Sequence, residues 1–413
     1  MISRRAFGGL IAGAFAMPDP SWGQTPKPKT VFYASIGPEL ILFDIDVEGA
    51  ALVKRGALKL PANIQYAWPH PSRRFLYVVS SNGAPGVAGD KHYASALAVD
   101  PATGALTLLG DPAALVSRPI HTSVDATGAY LLIAHNNPSS ISVLRLNADG
   151  TLGAPVAQPG KLDTGIFAHQ VRAMPSNRAV TLVTRGNDAT ATKVEDPGAI
   201  KTFAFDNGVL TNLASIAPGN GLGFGPRHLD FHPQKPWAFV SIERQSDLYV
   251  YKLDAATGLS RDPIFIKNTL ANPKPPVRQA AGAIHVHPSG KYVYVTNRAS
   301  DVVEVDGKKI VPDGENNIAV FAINQDTGEP TLIQNADGRA VELRTFGIEP
   351  SGRMLVTASI KAVPVRDGAS IGTLPAKLDV FRIGGDGKLD MARQYDVDTG
   401  ALTQFWSGMI TLA

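Results

Sequence analysis

Arginine, histidine and glutamate recur in this chain at two fixed distances from a series of short turns. Ten residues after the turn position stand Ser81, Asn136, Arg185, Glu243, Arg298 and Ile360. Six residues before it stand Gln65, Ile120, His169, Arg227, Gly282 and Arg344, and the next position holds Tyr66, His121, Gln170, His228, Ala283 and Thr345. Arginine binds carboxylates and phosphates through paired hydrogen bonds, and His or Glu can take a proton from water. These residue types indicate an anion-binding site with acid–base chemistry.

The turns that set this count belong to a repeated unit. A short apolar strand runs into the turn, a strand rich in Tyr, Val and Phe follows it, and most units continue to an Asp/Asn-Gly turn. The turn positions are Pro71, Ala126, Pro175, Pro233, Pro288 and Pro350, spaced about 49 to 62 residues apart. Many short strands punctuated by Gly and Pro are typical of all-β proteins. One such unit has the length of a four-stranded propeller blade.

Six complete units leave a fragment at each end of the chain. Residues 31–35 and 41–46 resemble the second and third strands of a blade, and residues 406–412 form an apolar strand with no unit after it. Placing the C-terminal strand innermost in the N-terminal blade closes a ring and removes the exposed sheet edges. The sequence therefore predicts a single all-β domain over residues 31–413, a seven-bladed β-propeller closed by its C-terminal strand.

Both columns of polar residues should meet at one mouth of the central channel. The first two strands of a blade are antiparallel, so the start of one lies beside the end of the other. The long loops 82–95, 186–199, 299–316 and 361–376 should emerge at the same mouth and cover part of it. Concave sites rimmed by loops are where ligands bind. The alternative is that these Arg and Glu side chains only pair with one another and hold the blades together.

The N-terminus indicates export. Residues 3–7 read SRRAF, and a short apolar run over residues 8–17 follows, which is the pattern of a secretory signal. The paired arginines favour the twin-arginine route, with an ordinary secretory signal as the alternative. We expect residues 1–24 to be a signal peptide, 25–30 a linker, and the mature protein to be periplasmic or secreted.

The composition excludes several classes of function. The chain has no cysteine, so it has no disulfide, thiolate metal site or Cys nucleophile. The net charge is only +3 and no basic run with interleaved aromatic residues is present, so nucleic-acid binding is not expected. No window beyond the N-terminus is apolar for long enough to span a bilayer. We expect no membrane association after signal removal, and a monomer.

Three stretches resemble the lactonase family of seven-bladed propellers, which includes one type of bacterial 6-phosphogluconolactonase and the fungal carboxymuconate-lactonising enzyme. They are GPRHLDFHP at 225–233, AIHVHPSGKYVYVTNR at 283–298 and AHQV at 168–171. The resemblance covers residues 30–413. It implies a catalytic set, which matches His169, Arg227, Glu243 and Arg298 here. Where the family usually has Asp-Leu-Gly-x-Asp, this chain reads TRGND at 184–188.

The leading hypothesis is a metal-independent lactonase without a cofactor that acts on an anionic sugar lactone or carboxylated lactone. Glu243 or His169 would be the general base, and Arg227 and Arg298 would hold the anionic group and the oxyanion. The predicted further substrate contacts are Arg185, His228, His121, Arg344 and Asn136.

Two alternatives stay open. A metal-dependent version would use three histidines from different blades, which lack a ligand-spacing motif. A non-enzymatic periplasmic propeller, acting as a scaffold or as a receptor for an anionic small molecule, would need the arginines but not Glu243. His285 and His287 are expected to pack rather than bind a metal.

Overall fold

The computed structural model describes residues 29–84, 86–299, 301–305, 307–368 and 370–413. Seven sheets form the blades, and each is built by antiparallel pairing from an innermost to an outermost strand. These seven four- or five-stranded sheets confirm the predicted seven-bladed β-propeller. The predicted signal peptide and residues 25–28 of the predicted linker lie outside the described residues. The first strand begins at Thr30, one residue before the predicted start of the propeller.

Blade 1 joins the two ends of the chain. Its strands, from the inside outwards, are Ser407–Thr411, Thr30–Ile36, Glu39–Asp46 and Ala51–Lys59. The C-terminal strand is antiparallel to the first strand, with Val31 opposite Ile410 and Tyr33 opposite Gly408. Closure of the ring by the C-terminal strand is therefore confirmed.

The other six blades follow the chain in order, each from the inside outwards. Blade 2 consists of Ile64–Pro69, Phe75–Ser81, His92–Val99 and Leu106–Ala114. Blade 3 consists of Pro119–Val124, Tyr130–Asn136, Ser139–Leu146 and Leu152–Pro155. Blade 4 consists of Ala168–Ala173, Ala179–Thr184, Ala199–Asp206 and Val209–Ile216. The 3-10 turn Pro218–Gly221 leads to blade 5.

Blades 5 to 7 carry the longer insertions. Blade 5 consists of Pro226–Phe231, Trp237–Ile242 and Asp247–Asp254, and the last of these pairs with both Gly258–Leu259 and Phe265–Asn268. Blade 6 consists of Ala280–Val286, Tyr292–Arg298, Asn317–Ile323 and Pro330–Asp337. Blade 7 consists of Leu343–Ile348, Met354–Ser359, Ala376–Ile383 and Leu389–Val397. Two hairpins project from these blades, Val303–Val305 with Lys308–Ile310 and Val363–Asp367 with Ser370–Leu374.

The apolar core lies between adjacent blades rather than in one central layer. Tyr77 and Val79 of blade 2, for example, pack against Leu131 and Ile133 of blade 3 in one buried cluster. The second strands are covered on both faces, and in blades 2 to 5 and in blade 7 every residue of that strand is buried. This explains why the strands after the turns are rich in Val, Tyr and Phe instead of alternating with polar residues.

Three of the predicted turns, each joining two strands of one blade, also contact the following blade. The Nε2 atoms of His70, His232 and His287 lie 3.0, 3.0 and 2.9 Å from the carbonyl oxygens of glycines in the following blade, which are Gly128, Gly290 and Gly352. Each of these glycines has a positive φ, and a Cβ there would lie within 2.6 Å of the histidine ring. His287 thus has a structural contact, in agreement with the expectation that it packs. Across the described residues, no helix has the length and apolarity needed to cross a bilayer.

Candidate functional site

A β-bulge at the start of the innermost strand repeats in six blades. The pairing between the first two strands shifts at the same place in blades 2, 3, 4, 5 and 7, and the residue left without a partner is the one six positions before the turn. The unpaired residues are Gln65, Ile120, His169, Arg227 and Arg344. In blade 6 the shift spans two residues, between Ala281 and Ile284. A bulge bends the strand and redirects a side chain, so this backbone feature turns the whole column towards the channel.

The channel mouth at these bulges contains a cavity of about 230 Å³. It is lined by Arg118, Ile120, Asn136, Phe167, His169, Arg185, Glu243, Arg278, Ala280, Arg298, Asp301, Glu342 and Arg344. We call this end of the channel the arginine mouth. Six of the nine predicted site residues line the cavity together: Asn136, His169, Arg185, Glu243, Arg298 and Arg344. They come from five blades, so only closure of the ring brings them to one place.

The remaining three predicted residues lie deeper in the channel. Arg227 and His228 line a much smaller cavity beneath the first, to which His169 and Arg344 also contribute. His121 is fully buried below them and lines neither cavity. Its ring lies 3.9 Å from that of Tyr66 and 5.8 Å from that of His228, centroid to centroid. The contact between His121 and His228 is edge-on, and His121 is enclosed by these rings instead of lining the cavity of the arginine mouth.

Glu243 lies among three arginines. Its carboxylate oxygens are 3.3 Å from Nε of Arg185, 3.6 Å from Nε of Arg227 and 3.4 Å from Nη2 of Arg298. Burial by itself would raise the pKa of Glu243, but Arg298, Arg185 and Arg227 outweigh burial and lower that pKa to about 2. The side chain keeps 14% of its surface exposed and faces the cavity. Glu243 is therefore an ionised group that compensates the arginines and remains accessible to a ligand.

His169 has the opposite character. Burial, followed by the positive charges of Arg227 and Arg344, holds the pKa of His169 well below its usual value. The imidazole is therefore neutral at neutral pH. Its Nδ1 atom is buried without a hydrogen-bond partner among the described residues, and the side chain lines the cavity. A neutral imidazole with a free nitrogen can accept a hydrogen bond or a proton from a bound water or ligand.

The structure adds cavity residues that the sequence reasoning missed. Arg118, Phe167 and Glu342 all stand eight residues before the turn position, so they form a further column two residues before the bulge. Glu342 lies 3.8 Å from both Arg298 and Arg344. Side chains two residues apart on a strand lie on the same face, so the position eight residues before the turn could have been predicted from the position six residues before it.

Two of the predicted long loops, 186–199 and 299–316, lie at the arginine mouth, as expected. Asp188 of loop 186–199 lies 2.7 Å from Arg185, 2.9 Å from Arg244 and 2.9 Å from Arg278. Loop 299–316 contributes Asp301 to the cavity wall. This loop and loop 361–376 touch through a bridge between Val311 and Val365. Arg185, which stands where the resembling family has a leucine, is thus held between Asp188 and Glu243.

No group of three His, Asp or Glu side chains within the described part of the chain is close enough together to hold a metal ion. The three channel histidines His121, His169 and His228 instead pack ring against ring, with centroids 5.0 to 5.8 Å apart in the two pairs that His228 forms.

Comparisons with known proteins match this architecture. A family model described as "Lactonase, 7-bladed beta-propeller" matches residues 32–365. The 6-phosphogluconolactonase of Bacillus subtilis (strain 168) is 28% identical over 323 residues, covering 77% of this chain and 83% of the relative. That of Pectobacterium carotovorum is 27% identical, covering 73% of this chain and 79% of the relative.

Solved structures share the fold. The periplasmic gluconolactonase of Pseudomonas aeruginosa superposes with a TM-score of 0.69 at 19% identity, covering 93% of this chain and 99% of that one. A protein from Lactobacillus plantarum gives a TM-score of 0.68 at 20% identity with the same coverage. At these identities the structural likeness concerns the fold. The family match, together with the relatives, shows that this chain is a lactonase-like hydrolase that belongs to the lactonase family of seven-bladed β-propellers.

Proposed function

We propose that this protein is an exported lactonase that hydrolyses an anionic lactone without a metal ion at the arginine mouth. The observation that supports this most is that neutral His169 and ionised Glu243 line one cavity with Arg185, Arg298 and Arg344. One cavity of about 230 Å³ thus combines a base, His169, with a surface of arginines that can bind an anion. Five arginines on the wall would repel a divalent cation, which needs oxygen ligands.

His169 is the general base in this proposal. Glu243, with its pKa at about 2, is too weak a base by itself, whereas His169 has an unpaired Nδ1. The charges of Arg227 and Arg344 that lower the pKa of His169 are offset when an anion binds, so substrate binding raises the basicity of the imidazole. The site therefore becomes an effective base only when it is occupied.

The reaction then follows from the charges on the wall. His169 accepts a proton from water while the water oxygen bonds to the lactone carbonyl carbon, and Arg227 and Arg298 stabilise the resulting oxyanion. The ring C–O bond breaks as the carbonyl re-forms, and the leaving oxygen takes the proton from His169. The product is a hydroxy acid, which ionises at neutral pH. Glu243 holds the arginines in position throughout.

The test is turnover by the purified mature protein of a panel of aldono- and carboxylated lactones with a chelator present. His169→Gln should lower kcat/KM by about 10²–10⁴-fold, and Glu243→Gln should lower it strongly as well. His287→Gln, whose ring contacts Gly352 of the following blade outside these cavities, is the matched control and should retain activity. Unchanged turnover in His169→Gln would show that the imidazole is not the base. Activity that a chelator abolishes and zinc restores would contradict the metal-free reaction.

Export is the second part of the proposal. It is supported by the SRRAF stretch and the apolar run of residues 8–17, and the related fold from Pseudomonas aeruginosa is named as periplasmic. Replacing Arg4 and Arg5 together by Lys should leave the protein in the cytoplasm, as measured by cell fractionation. Normal export of the double variant would point to the general secretory route.

A non-enzymatic anion receptor is the second candidate, favoured by the enclosure of Glu243 among three arginines. It predicts binding of carboxylated sugars by calorimetry without turnover of any lactone. Failure of the whole lactone panel, with such binding intact, would establish this candidate in place of the lactonase.

A further inference from the structure

Arg118 is a buried cation without an ionic partner. It precedes the innermost strand of blade 3, lines the cavity of the arginine mouth and is only 5% exposed. Its Nε and Nη2 atoms donate to the side-chain oxygen of Gln65 at 3.1 and 2.8 Å, and Gln65 is neutral. Within the described residues, Arg118 forms no ion pair with a carboxylate. Burying a charge without compensation is costly, so this arrangement needs an explanation.

Each of the other arginines of the mouth lies near at least one carboxylate. Arg185, Arg227 and Arg298 lie within 3.6 Å of Glu243. Arg344 lies 3.8 Å from Glu342, and Arg278 lies 2.9 Å from Asp188. Three of these arginines share Glu243, but each has a carboxylate within 3.8 Å, whereas Arg118 has none among the described residues.

The charges of the whole mouth do not balance. Six arginines line the cavity of the arginine mouth or the smaller cavity beneath it: Arg118, Arg185, Arg227, Arg278, Arg298 and Arg344. The carboxylates that line the mouth or pair with these arginines are Asp188, Glu243, Asp301 and Glu342. Arg244 also contacts Asp188 but is balanced by Glu195. The arginines therefore exceed the carboxylates by two positive charges, one of which is that of Arg118.

Two neighbours add to the surroundings of Arg118. Arg344 stacks on Phe405, with its guanidinium carbon 4.2 Å from the ring centroid, and lines the same cavity. Burial and then the charge of Arg344 lower the pKa of Arg118 to about 10, which shows that the two cations repel each other. Asn136, also in the cavity wall and buried, has a side-chain oxygen without a hydrogen-bond partner in the described part of the chain. An anion between the two guanidinium groups would offset the repulsion, and a hydroxyl carried by the same ligand would donate to the Asn136 oxygen.

We infer that Arg118 and Arg344 form a subsite for an ionised group carried by the lactone, separate from the Glu243 side where the carbonyl reacts, and that Asn136 accepts a hydrogen bond from a lactone hydroxyl beside that group. We call it the Arg118 subsite. The excess of two charges favours a single carboxylate as this group. One carboxylate plus the oxyanion that forms during hydrolysis supplies two negative charges, whereas a phosphate dianion plus the oxyanion supplies three. This inference rests on the proposed lactonase function.

The test compares three lactones that differ in charge: neutral D-glucono-1,5-lactone, a monocarboxylated glucarolactone and 6-phosphoglucono-1,5-lactone. The wild-type protein should prefer the carboxylated compound. Arg118→Met should lower kcat/KM for that compound about 10- to 100-fold, mainly through KM, because a hydrogen bond to a charged group is lost. The neutral lactone should be hydrolysed by the variant as well as by the wild type. Arg118→Lys, which keeps the charge, should recover part of the loss, and Arg172→Met at the other end of the channel is the matched control.

Each other outcome overturns a defined part of the inference. An equal loss on neutral and carboxylated lactones would make Arg118 a structural residue. A preference for the phosphorylated lactone that Arg118→Met removes would refute the single carboxylate and keep the subsite. If no lactone is hydrolysed, the proposed function fails, and binding of glucarate by calorimetry then decides the subsite alone. Equal affinity of the wild type and Arg118→Met for glucarate would refute it.

Discussion

The two mouths of the channel enclose cavities of nearly equal size but of opposite chemistry. The cavity of the arginine mouth measures about 230 Å³ and that of the other mouth about 250 Å³. The second is lined mostly by apolar and aromatic side chains, including Tyr66, Trp68, Phe346, Trp406 and Met409. We call it the aromatic mouth. Size therefore does not distinguish the two, whereas charge does.

The charged groups near the aromatic mouth are paired. Asp230 lies 3.3 Å from Arg172 and 3.7 Å from Nδ1 of His285, and it accepts a hydrogen bond from the backbone of Val286 at 2.9 Å. Arg172 also stacks over Trp68 at 4.5 Å. This arrangement holds blades together with its charges compensated. Unpaired buried charge, rather than cavity volume, therefore distinguishes the mouth at which we propose the reaction from the other mouth.

The difference follows from what each end of the innermost strand has to do. At the arginine mouth the strands begin with bulges, which free one residue per blade from the ladder. At the aromatic mouth they end in tight turns whose side chains bond the next blade, as His232 does with Gly290. The bulge residues at the arginine mouth are therefore free to bind a ligand, whereas the turn residues at the aromatic mouth hold adjacent blades together.

The largest expected effect is on activity at the arginine mouth. Arg298→Met should lower kcat/KM by about 10²–10³-fold because it removes an oxyanion donor. Arg172→Met, the matched arginine near the aromatic mouth, should leave kcat/KM unchanged. Steady-state kinetics of both variants on one lactone makes the comparison. Similar losses in the two would refute the assignment of function to one mouth.

The second prediction concerns stability at the aromatic mouth. Phe346 is almost fully buried, so Phe346→Ala should lower the free energy of unfolding by about 3–5 kcal/mol. The value of kcat/KM should stay the same under conditions where the variant is folded. Urea unfolding measures the first quantity. Val194→Ala, at an exposed position, is the control, and its change should be below about 0.5 kcal/mol. A large fall in kcat/KM of folded Phe346→Ala would mean that the aromatic mouth takes part in the reaction.

The third prediction uses the pH dependence of Asp230. Burial would raise the pKa of Asp230, but His285 and Arg172 outweigh it and lower that pKa. The ion pairs therefore stabilise the fold above the unfolded-state pKa of about 3.9, and this contribution is lost as the pH falls through the lower folded-state value. Asp230→Asn should be less stable than the wild type at pH 7, by about 1–3 kcal/mol. The difference in the free energy of unfolding between the variant and the wild type, measured by urea unfolding, should decrease as the pH falls towards the folded-state pKa of Asp230. A difference that stays constant over this range would show that the charge of Asp230 does not stabilise the fold.

The smallest effect is a shift in the pH profile of activity. Burial, Arg227 and Arg344 hold the pKa of His169 below 6.5, so the acid limb of kcat/KM should lie below pH 6.5. Arg344→Met removes one positive charge, raises the pKa of His169 and should move the acid limb to higher pH. A neutral lactone is the substrate of choice, because the Arg118 subsite then has no part in the result. Arg172→Met should leave the limb in place, and an unmoved limb in Arg344→Met would remove His169 from the role of base.

Much of this site could be predicted from the spacing of residues alone. Counting ten residues past each turn located Asn136, Arg185, Glu243 and Arg298, and the structure places all four on one cavity wall. The count worked because each blade repeats the same strand lengths. The same count predicted both His121 and His169 as site residues, although only His169 lines the cavity. The β-bulge turns one residue towards the cavity and leaves the next one deeper in the channel, and no residue type in the sequence marks such a bulge.

Arg118 shows what spacing could not give. Its place two residues before the bulge is readable in the sequence, but its lack of an acidic partner depends on which side chains other blades bring near it. Gln65 comes from blade 2 and Arg344 from blade 7, far away along the chain.

The sequence by itself determined the ring, its closure by the C-terminal strand and the column of side chains that faces one mouth, because these follow from a repeat of local strand and turn signals. The tertiary structure alone decided which charges are compensated, since that depends on distances of a few ångströms between blades. Coulomb energies change steeply over such distances in a buried site, so the pairing of Glu243 with three arginines and the isolation of Arg118 appear only when the ring is closed.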